Sequence, residues 1–220
     1  MTGIIIQARL DSTRLPAKVM LDLGGKTILQ RVVEACLTAK KADMVLVTTP
    51  DELIADYVVE YTKAYPRLYK GIRDPLAEYY QAALGFGLDV IVRVTADCPF
   101  IRPDIIDYCI TEHITGCYTY NHCDSLPNPV RDEPSLEVFT SKRGESLNGA
   151  NGWPDGLDCE VFDRNCLKDA HEFSEQREHL TTYIREKFKN NAVKPFEIFD
   201  PERYFSINTI KDYKKALSLF

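Results

Sequence analysis

No segment of this 220-residue chain approaches the roughly 20 consecutive apolar residues that cross a bilayer, so no membrane insertion is expected. The opening residues lack the basic n-region and long apolar h-region of a secretory signal, and the expected location is the cytoplasm. Seven cysteines, at 36, 98, 109, 117, 123, 159 and 166, form no C-x-x-C pair. An odd count without a secretory signal reads as free thiols. Neither G-x-x-x-x-G-K-[ST] nor G-x-G-x-x-G occurs, which excludes those two glycine-rich phosphate loops. A basic surplus is missing too. The formal net charge is −6, which argues against a general nucleic-acid binder.

What is present is the composition of a globular protein, 45% hydrophobic and 27% charged, on a chain long enough for a sizeable core. Short apolar runs alternate with helical patterns. Strands are predicted at Ile4–Ala8, Met44–Thr48 and Val90–Val94. Ile28, Val32, Ala35 and Ala39, at helical spacing, predict a helix over Thr27–Ala39. Asp51 is placed to cap a helix to about Ala64, Leu76–Leu84 is helical, and Pro103 suits the first residue of a helix through Ile110. Strands separated by helices imply parallel pairing through right-handed crossovers. The expected fold is α/β: a doubly wound, mostly parallel, Rossmann-like sheet whose ligands sit beyond the carboxyl ends of its strands.

Residues 1–220 read as a single domain. Asn121–Pro154, rich in Pro, Asn, Gly and Asp, reads as an inserted excursion with one strand at Leu136–Thr140. After it come a strand over Gly156–Phe162, helices over Asn165–Glu172 and Gln176–Asn190, and short strands at Phe196–Phe199 and Tyr204–Ile207. Thr209 and Asp212 have capping-box spacing for a last helix to Leu219.

The most informative stretch is QARLDSTRLPAK, Gln7 to Lys18, just beyond the first strand. Arg9, Arg14 and Lys18 share one loop with the hydroxyls of Ser12 and Thr13. Arg grips phosphate oxygens bidentately and Lys acts as a mobile point charge, so the set suits a triphosphate. The same loop also reads as a solvated basic surface. Between Gln7 and Lys41, seven Lys or Arg against three Asp or Glu leave a local surplus of four. An acidic protein with a basic entrance suits a small anionic ligand better than a polymer.

Asp97 follows the strand at Val90–Val94 and precedes Pro99. A carboxylate there, facing a basic phosphate loop, is a natural Mg2+ ligand, because magnesium favours carboxylate oxygens together with substrate phosphates. It could equally cap the turn. Cys109, His113, Cys117, His122 and Cys123 crowd a short stretch, and the first three are four apart, aligned if the helix reaches that far. Standard paired ligand spacing is absent, so buried thiols and surface histidines are expected there rather than zinc.

The order QARLDSTRLPAKVMLDLGGKTILQRVVEAC resembles the opening of the sugar-acid cytidylyltransferases. It looks most like the spore-coat polysaccharide biosynthesis F type, and is similar to the deoxy-manno-octulosonate and acylneuraminate cytidylyltransferases. In those enzymes R-x-x-S-T-R-L-P-x-K wraps the triphosphate of CTP. Arg9, Ser12, Thr13, Arg14, Leu15, Pro16 and Lys18 match it position by position. The resemblance runs from Gly3 to about Tyr213 and implies a nucleotide-diphospho-sugar transferase-like fold.

The resemblance also implies site residues. Ala8, Arg9, Ser12, Thr13, Arg14, Lys18 and Ala96 would bind the nucleotide, as would Arg73 and Asp74 in GIRDPLAEYYQAA; Asp74 serves equally as an N-cap. Asp97, in RVTADCPFIRPDIID, matches the family's metal aspartate, which makes Mg2+ the implied cofactor. WPDGLDCEVF and REHLTTYIR resemble Y-P-D-G-L-D-V-E-V-F and S-x-R-E-H-x-T-x-Y-I-R of the spore-coat type. Asp155, Asp158, Glu160, Arg177 and His179, with Arg93, become acceptor-binding candidates. Internal pairing of Glu160 or Asp158 with Arg177 is the other reading. Against the family's V-D-T-P-E-D-F stands Ile207-Asn208-Thr209-Ile210-Lys211-Asp212-Tyr213. Asn208 occupies the place of the second metal carboxylate, and its amide oxygen could ligate Mg2+ without bringing charge.

The function so implied is transfer of CMP from CTP to an acidic sugar, with release of pyrophosphate, for surface glycan synthesis. Arg9, Arg14, Lys18 and Asp97 would be its catalytic residues, and a homodimer is expected. An enzyme with a phosphate or phosphonate acceptor, or a non-catalytic nucleotide-binding relative weakened at Asn208, are the alternatives. A glycosyltransferase is disfavoured because Asp155 to Asp158 lacks D-x-D spacing. The acceptor sugar is not legible.

Overall fold

Gly3-Ile4-Ile5-Ile6 is apolar at every position, which suits a strand covered on both faces. In the computed structural model, which describes residues 1–120, 137–140, 154–178, 180–187, 189–192 and 200–220, this run is the heart of strand β1 (Thr2–Gln7). Chain order continues with α1 (Ile28–Thr38), β2 (Met44–Thr49), α2 (Glu52–Tyr61), β3 (Tyr65–Leu68), α3 (Pro75–Gly85), β4 (Val90–Thr95) and α4 (Pro103–Tyr120). Then come β5 (Glu137–Thr140), β6 (Cys159–Asp163), α5 (Arg164–Phe173), α6 (Thr182–Lys187), β7 (Lys189–Ala192) and α7 (Ile210–Leu217). The described strands form one sheet in the order β3-β2-β1-β4-β6-β5-β7. β1 pairs in parallel with β2 and β4, whereas β6 runs antiparallel to both β4 and β5.

Alternate residues of β1 feed two cores. Ile4 and Ile6 pack with Val32 and Val33 of α1, Ile54 and Val58 of α2, and Ile105 and Ile110 of α4. Ile5 packs on the other face with Leu76 and Tyr79 of α3, Leu167 of α5 and Ile184 of α6. Helices on both faces make the sheet doubly wound, as the alternation of patterns predicts. Local chemistry starts the helices: Thr27 accepts from Gln30 N–H at 3.0 Å, and Asp74 accepts from Ala77 N–H at 2.9 Å with Pro75 opening α3. The capping box of Thr209 and Asp212 forms. Among the described residues no helix is long and apolar enough to cross a membrane.

Several expectations are corrected. Asp51 precedes α2 but makes no side-chain cap; its carboxylate accepts from Leu10 N–H at 2.9 Å and ties down the β1–α1 loop. The helix expected over Gln176–Asn190 is only α6, and β7 follows almost at once. Tyr204–Ile207 is not a strand: Ile207 N–H bonds outward to Asp97 carbonyl oxygen at 2.8 Å instead of joining a ladder. β3 escapes the sequence pattern because it is a four-residue edge strand containing Pro66, which an edge tolerates. α4 extends past Ile110 through Tyr120. His113 is buried, not at the surface, and its Nε2 lies 3.1 Å from Asp163 Oδ1. Cys109 and Cys159 are buried, and no group of three or more metal-binding side chains occurs among the described residues. Most of the inserted segment expected at 121–154, and the strand expected at Phe196–Phe199, lie outside the described residues.

Candidate active site

Leu10 carbonyl oxygen accepts from both Ser12 N–H and Ala17 N–H, each at 2.9 Å, so the loop after β1 curls on itself. Ala17 then takes φ of 52°, a left-handed conformation that costs an alanine about 1 kcal/mol. This reversal starts the short 3-10 turn Lys18–Met20 and brings Lys18 to the end of β4. Lys18 Nζ donates to Asp97 Oδ2 at 2.6 Å and to Asn208 Oδ1 at 3.1 Å. Arg14 Nη2 donates to the same Asn208 oxygen at 2.8 Å.

Asn208 is held from both sides. The preceding Ile207 is tied to Asp97, and Asn208 N–H bonds Asp212 Oδ2 at 3.0 Å, so the capping box of α7 also sets the metal-candidate position. Burial works to raise the pKa of Asp212, but bonds from Thr209 and from the N–H groups of Asn208 and Thr209, with the charge of Arg14, bring it below the usual carboxylate range. Asn208 Nδ2 donates to Ser206 Oγ at 2.8 Å, and that hydroxyl donates to Asp155 Oδ2 at 2.6 Å. Gly156, beside Asp155, lies so close to Phe205 that a Cβ would stand 2.3 Å from its backbone nitrogen. The approach of these two segments depends on that missing side chain.

These groups open on a cleft of about 290 Å³ at the carboxyl ends of β1 and β4. Arg9, Ser12, Thr13, Arg14, Lys18, Arg93, Ala96, Asp97 and Asn208, all expected from sequence, line it. Ala8 is buried below, with its N–H bonded to Thr48 carbonyl oxygen at 3.0 Å. At the rim, Asp11 and Glu178 alternate with Arg9 and Arg73: Arg73 reaches Glu178 at 2.6 Å and Asp11 at 3.1 Å, and Arg9 reaches Asp11 at 3.2 Å. Such half-exposed pairs contribute about 0–1 kcal/mol each and yield readily to a stronger anion.

Inside, Arg93 Nη1 pairs with Glu160 Oε2 at 2.6 Å, and Thr181 Oγ1 donates to the same carboxylate at 3.2 Å. The Glu160 side chain is fully buried, whereas a fifth of Arg93 remains exposed to the cleft. Burial opposes the charge of Arg93, and Glu160 more than compensates, so the guanidinium stays firmly cationic.

Some expected residues are engaged elsewhere. Arg177 pairs with neither Glu160 nor Asp158; it donates to Asp74 Oδ2 from Nε at 2.8 Å and from Nη2 at 2.6 Å. Asp74 thus caps α3 and anchors Arg177 instead of lining the cleft, and Glu160 is counter-ion to Arg93 instead of an open acceptor ligand. His179 lies outside the described residues. Residues the sequence reading did not single out are Gln7, Thr95 and Glu178 at the cleft, and Glu78 behind Gln7. The signal for Glu78 was a carboxylate set among the apolar positions of α3. Tyr79 is buried, and its hydroxyl donates to Ile5 carbonyl oxygen at 3.0 Å.

The family model described as Cytidylyltransferase matches residues 3–219. A cytidylyltransferase structure from Leptospira borgpetersenii superposes with a TM-score of 0.75 at 30% identity, covering 100% of this chain and 87% of that one. The spore coat polysaccharide biosynthesis protein SpsF of Bacillus subtilis is 27% identical over 98% of this chain and 85% of its own length. A 3-deoxy-manno-octulosonate cytidylyltransferase of Flavobacterium johnsoniae is 40% identical over 44% of this chain and 39% of its own. The chain belongs to the cytidylyltransferase family and is a CTP-dependent nucleotidyltransferase.

Proposed function

We propose, with membership of the cytidylyltransferase family as the premise, that this enzyme transfers CMP from CTP to an acidic sugar of the ulosonic or nonulosonic class for surface glycan synthesis. The observation that carries the reading is the convergence of Arg14 and Lys18 with Asp97 and Asn208 at one end of the cleft, while the cationic Arg93 faces it from β4. The first group suits a triphosphate. The second suits the carboxylate that distinguishes an acidic sugar from a neutral one. The name of the Flavobacterium relative supports an ulosonic acceptor, and that of the Bacillus relative supports surface polysaccharide synthesis.

In this reading Arg9, Arg14 and Lys18 hold the β- and γ-phosphates, with Ser12 and Thr13 donating between them. Their charges offset the negative charge that grows on the leaving group, which is the main demand of phosphoryl chemistry. A hydroxyl oxygen of the acceptor bonds to the α-phosphorus, the bond from that phosphorus to the bridging oxygen breaks, and pyrophosphate leaves. The hydroxyl proton passes to water. Arg93, fixed by Glu160, would orient the acceptor carboxylate, and orientation lowers the barrier by making the encounter effectively unimolecular.

Asp97 and Asn208 would hold Mg2+. Their oxygens already converge on one cation, the Lys18 ammonium, and two oxygen donors completed by substrate phosphates fit a magnesium site. Once bound, the ion would supply charge neutralisation and Lewis acidity at the α-phosphate. A homodimer and a cytoplasmic location belong to the same proposal, the first checked by light scattering.

The test is pyrophosphate release with CTP, Mg2+ and a panel of ulosonic and nonulosonic acids, with a neutral sugar and a phosphonate as comparison acceptors. Turnover confined to acidic sugars is the expected result. Turnover with the phosphonate alone would overturn the acceptor class.

A further inference from the structure

Gln7 ends β1, and by strand alternation its side chain leaves the sheet on the same face as Ile5, toward α3. There its Nε2 donates to Glu78 Oε2. Glu78 is only 4% exposed. Burial pushes its carboxyl above the usual range, while the bond from Gln7 and the charges of Arg67 and Arg9 act the other way. Gln7 lies on β1 and Arg67 on β3, while Asp97 lies just beyond the end of β4.

The consequence is directional. The Glu78 carboxyl oxygen accepts from Gln7 Nε2, so the amide nitrogen faces inward. The amide oxygen is then turned the other way. Gln7 lines the cleft, and its Oε1 bonds to no group among the described residues. Gln7 and Pro75 line the same cleft as Arg14 and Lys18, so a nucleotide whose phosphates are drawn to those cations can lay its base against Gln7. A fixed acceptor there matches an exocyclic amine and opposes a carbonyl, the one difference in hydrogen-bonding sense between the exocyclic groups of cytosine and uracil.

We infer that Gln7 Oε1, aimed by Glu78, reads the exocyclic amine of the nucleotide base and excludes the uracil nucleotide, with Glu78 as a positioning residue. The inference rests on the reading of the cleft as a CTP site. Glu78→Gln is the informative substitution. It keeps the shape but offers Gln7 either an acceptor or a donor, so the amide is free to flip and present N–H to the base.

The experiment is calorimetric titration of CTP, UTP and inorganic tripolyphosphate, with Mg2+, into the wild type, Glu78→Gln and Gln7→Leu. Wild type should favour CTP over UTP. Both variants should lose about tenfold or more of that ratio, the worth of one well-placed hydrogen bond, with tripolyphosphate affinity unmoved. Folded variants, judged by an intact melting transition, that keep the wild-type ratio would overturn the inference and leave the CTP reading standing. A wild type that binds CTP and UTP equally would overturn that reading and the inference together.

Discussion

Lys18 and Asp97 form an ion pair in the cleft, with Nζ 2.6 Å from Oδ2, and the same ammonium touches Asn208 Oδ1 at 3.1 Å. The two oxygens come from elements far apart in sequence, brought together by the bond from Ile207 N–H to Asp97 carbonyl oxygen. Lys18 and a magnesium ion would therefore compete for the same oxygens, and nucleotide phosphates would draw the ammonium away as the ion arrives.

Asp97→Asn should test that arrangement most severely. The substitution keeps the shape and removes the charge from the proposed metal ligand. Turnover is expected to fall at least about a hundredfold, the scale of losing a strong transition-state contact. Circular dichroism should remain that of the wild type. Pyrophosphate release at wild-type rates would remove Asp97 from the metal site.

Arg14→Ala should weaken CTP binding by roughly ten- to a hundredfold, as expected when a charge-assisted contact is lost. Arg14 is anchored to Asn208, so the guanidinium is already positioned before a phosphate meets it. Titration of CTP against the variant checks this. Unchanged affinity would take the triphosphate away from this end of the cleft.

Asn208→Asp should move the magnesium dependence to lower concentration by about tenfold, one carboxylate charge being worth at least about 1.4 kcal/mol at such a site. The new charge also faces Lys18 and Arg14, which should hold it ionised. The measurement is the midpoint of a magnesium titration of activity. An unmoved midpoint would make position 208 structural only.

Arg177→Ala should destabilise the fold by about 2 kcal/mol near neutral pH, because two charge-assisted bonds to Asp74 are lost together. Burial works to raise the Asp74 pKa, but the bonds from Arg177 and Ala77 outweigh it and the net shift is downward. A depressed carboxylate contributes stability above its unfolded value, near 3.9, and loses it as pH falls through the lower folded value. Urea unfolding at neutral pH and near pH 3 should therefore show the gap between wild type and variant narrowing in acid. A gap independent of pH would assign the loss to packing.

Much of the fold was legible because its signals are local. Continuous apolar runs marked β1, β2 and β4, and Thr27, Pro103 and Thr209 marked helix starts that the structure reproduces. The basic loop was legible for the same reason, its three cations lying within ten residues. Edge strand β3 and the true extent of α6 were not, since a short polar segment becomes a strand only when a neighbour offers an edge. The partners of charged groups were equally hidden. The sequence offers Asp74 as a nucleotide ligand or a cap, and Arg177 as an acceptor ligand or a partner of Glu160 or Asp158; in the structure each pairs with the other across the chain.

The sequence by itself determined the doubly wound sheet, the family and the cationic loop, because periodicity, capping and motif order are written between near neighbours. Only the tertiary structure decided which carboxylate answers which cation. It set Glu160 behind Arg93, Asp74 against Arg177 and Glu78 behind Gln7, pairings between distant segments that arise when burial forces each charge or amide to find a counterpart.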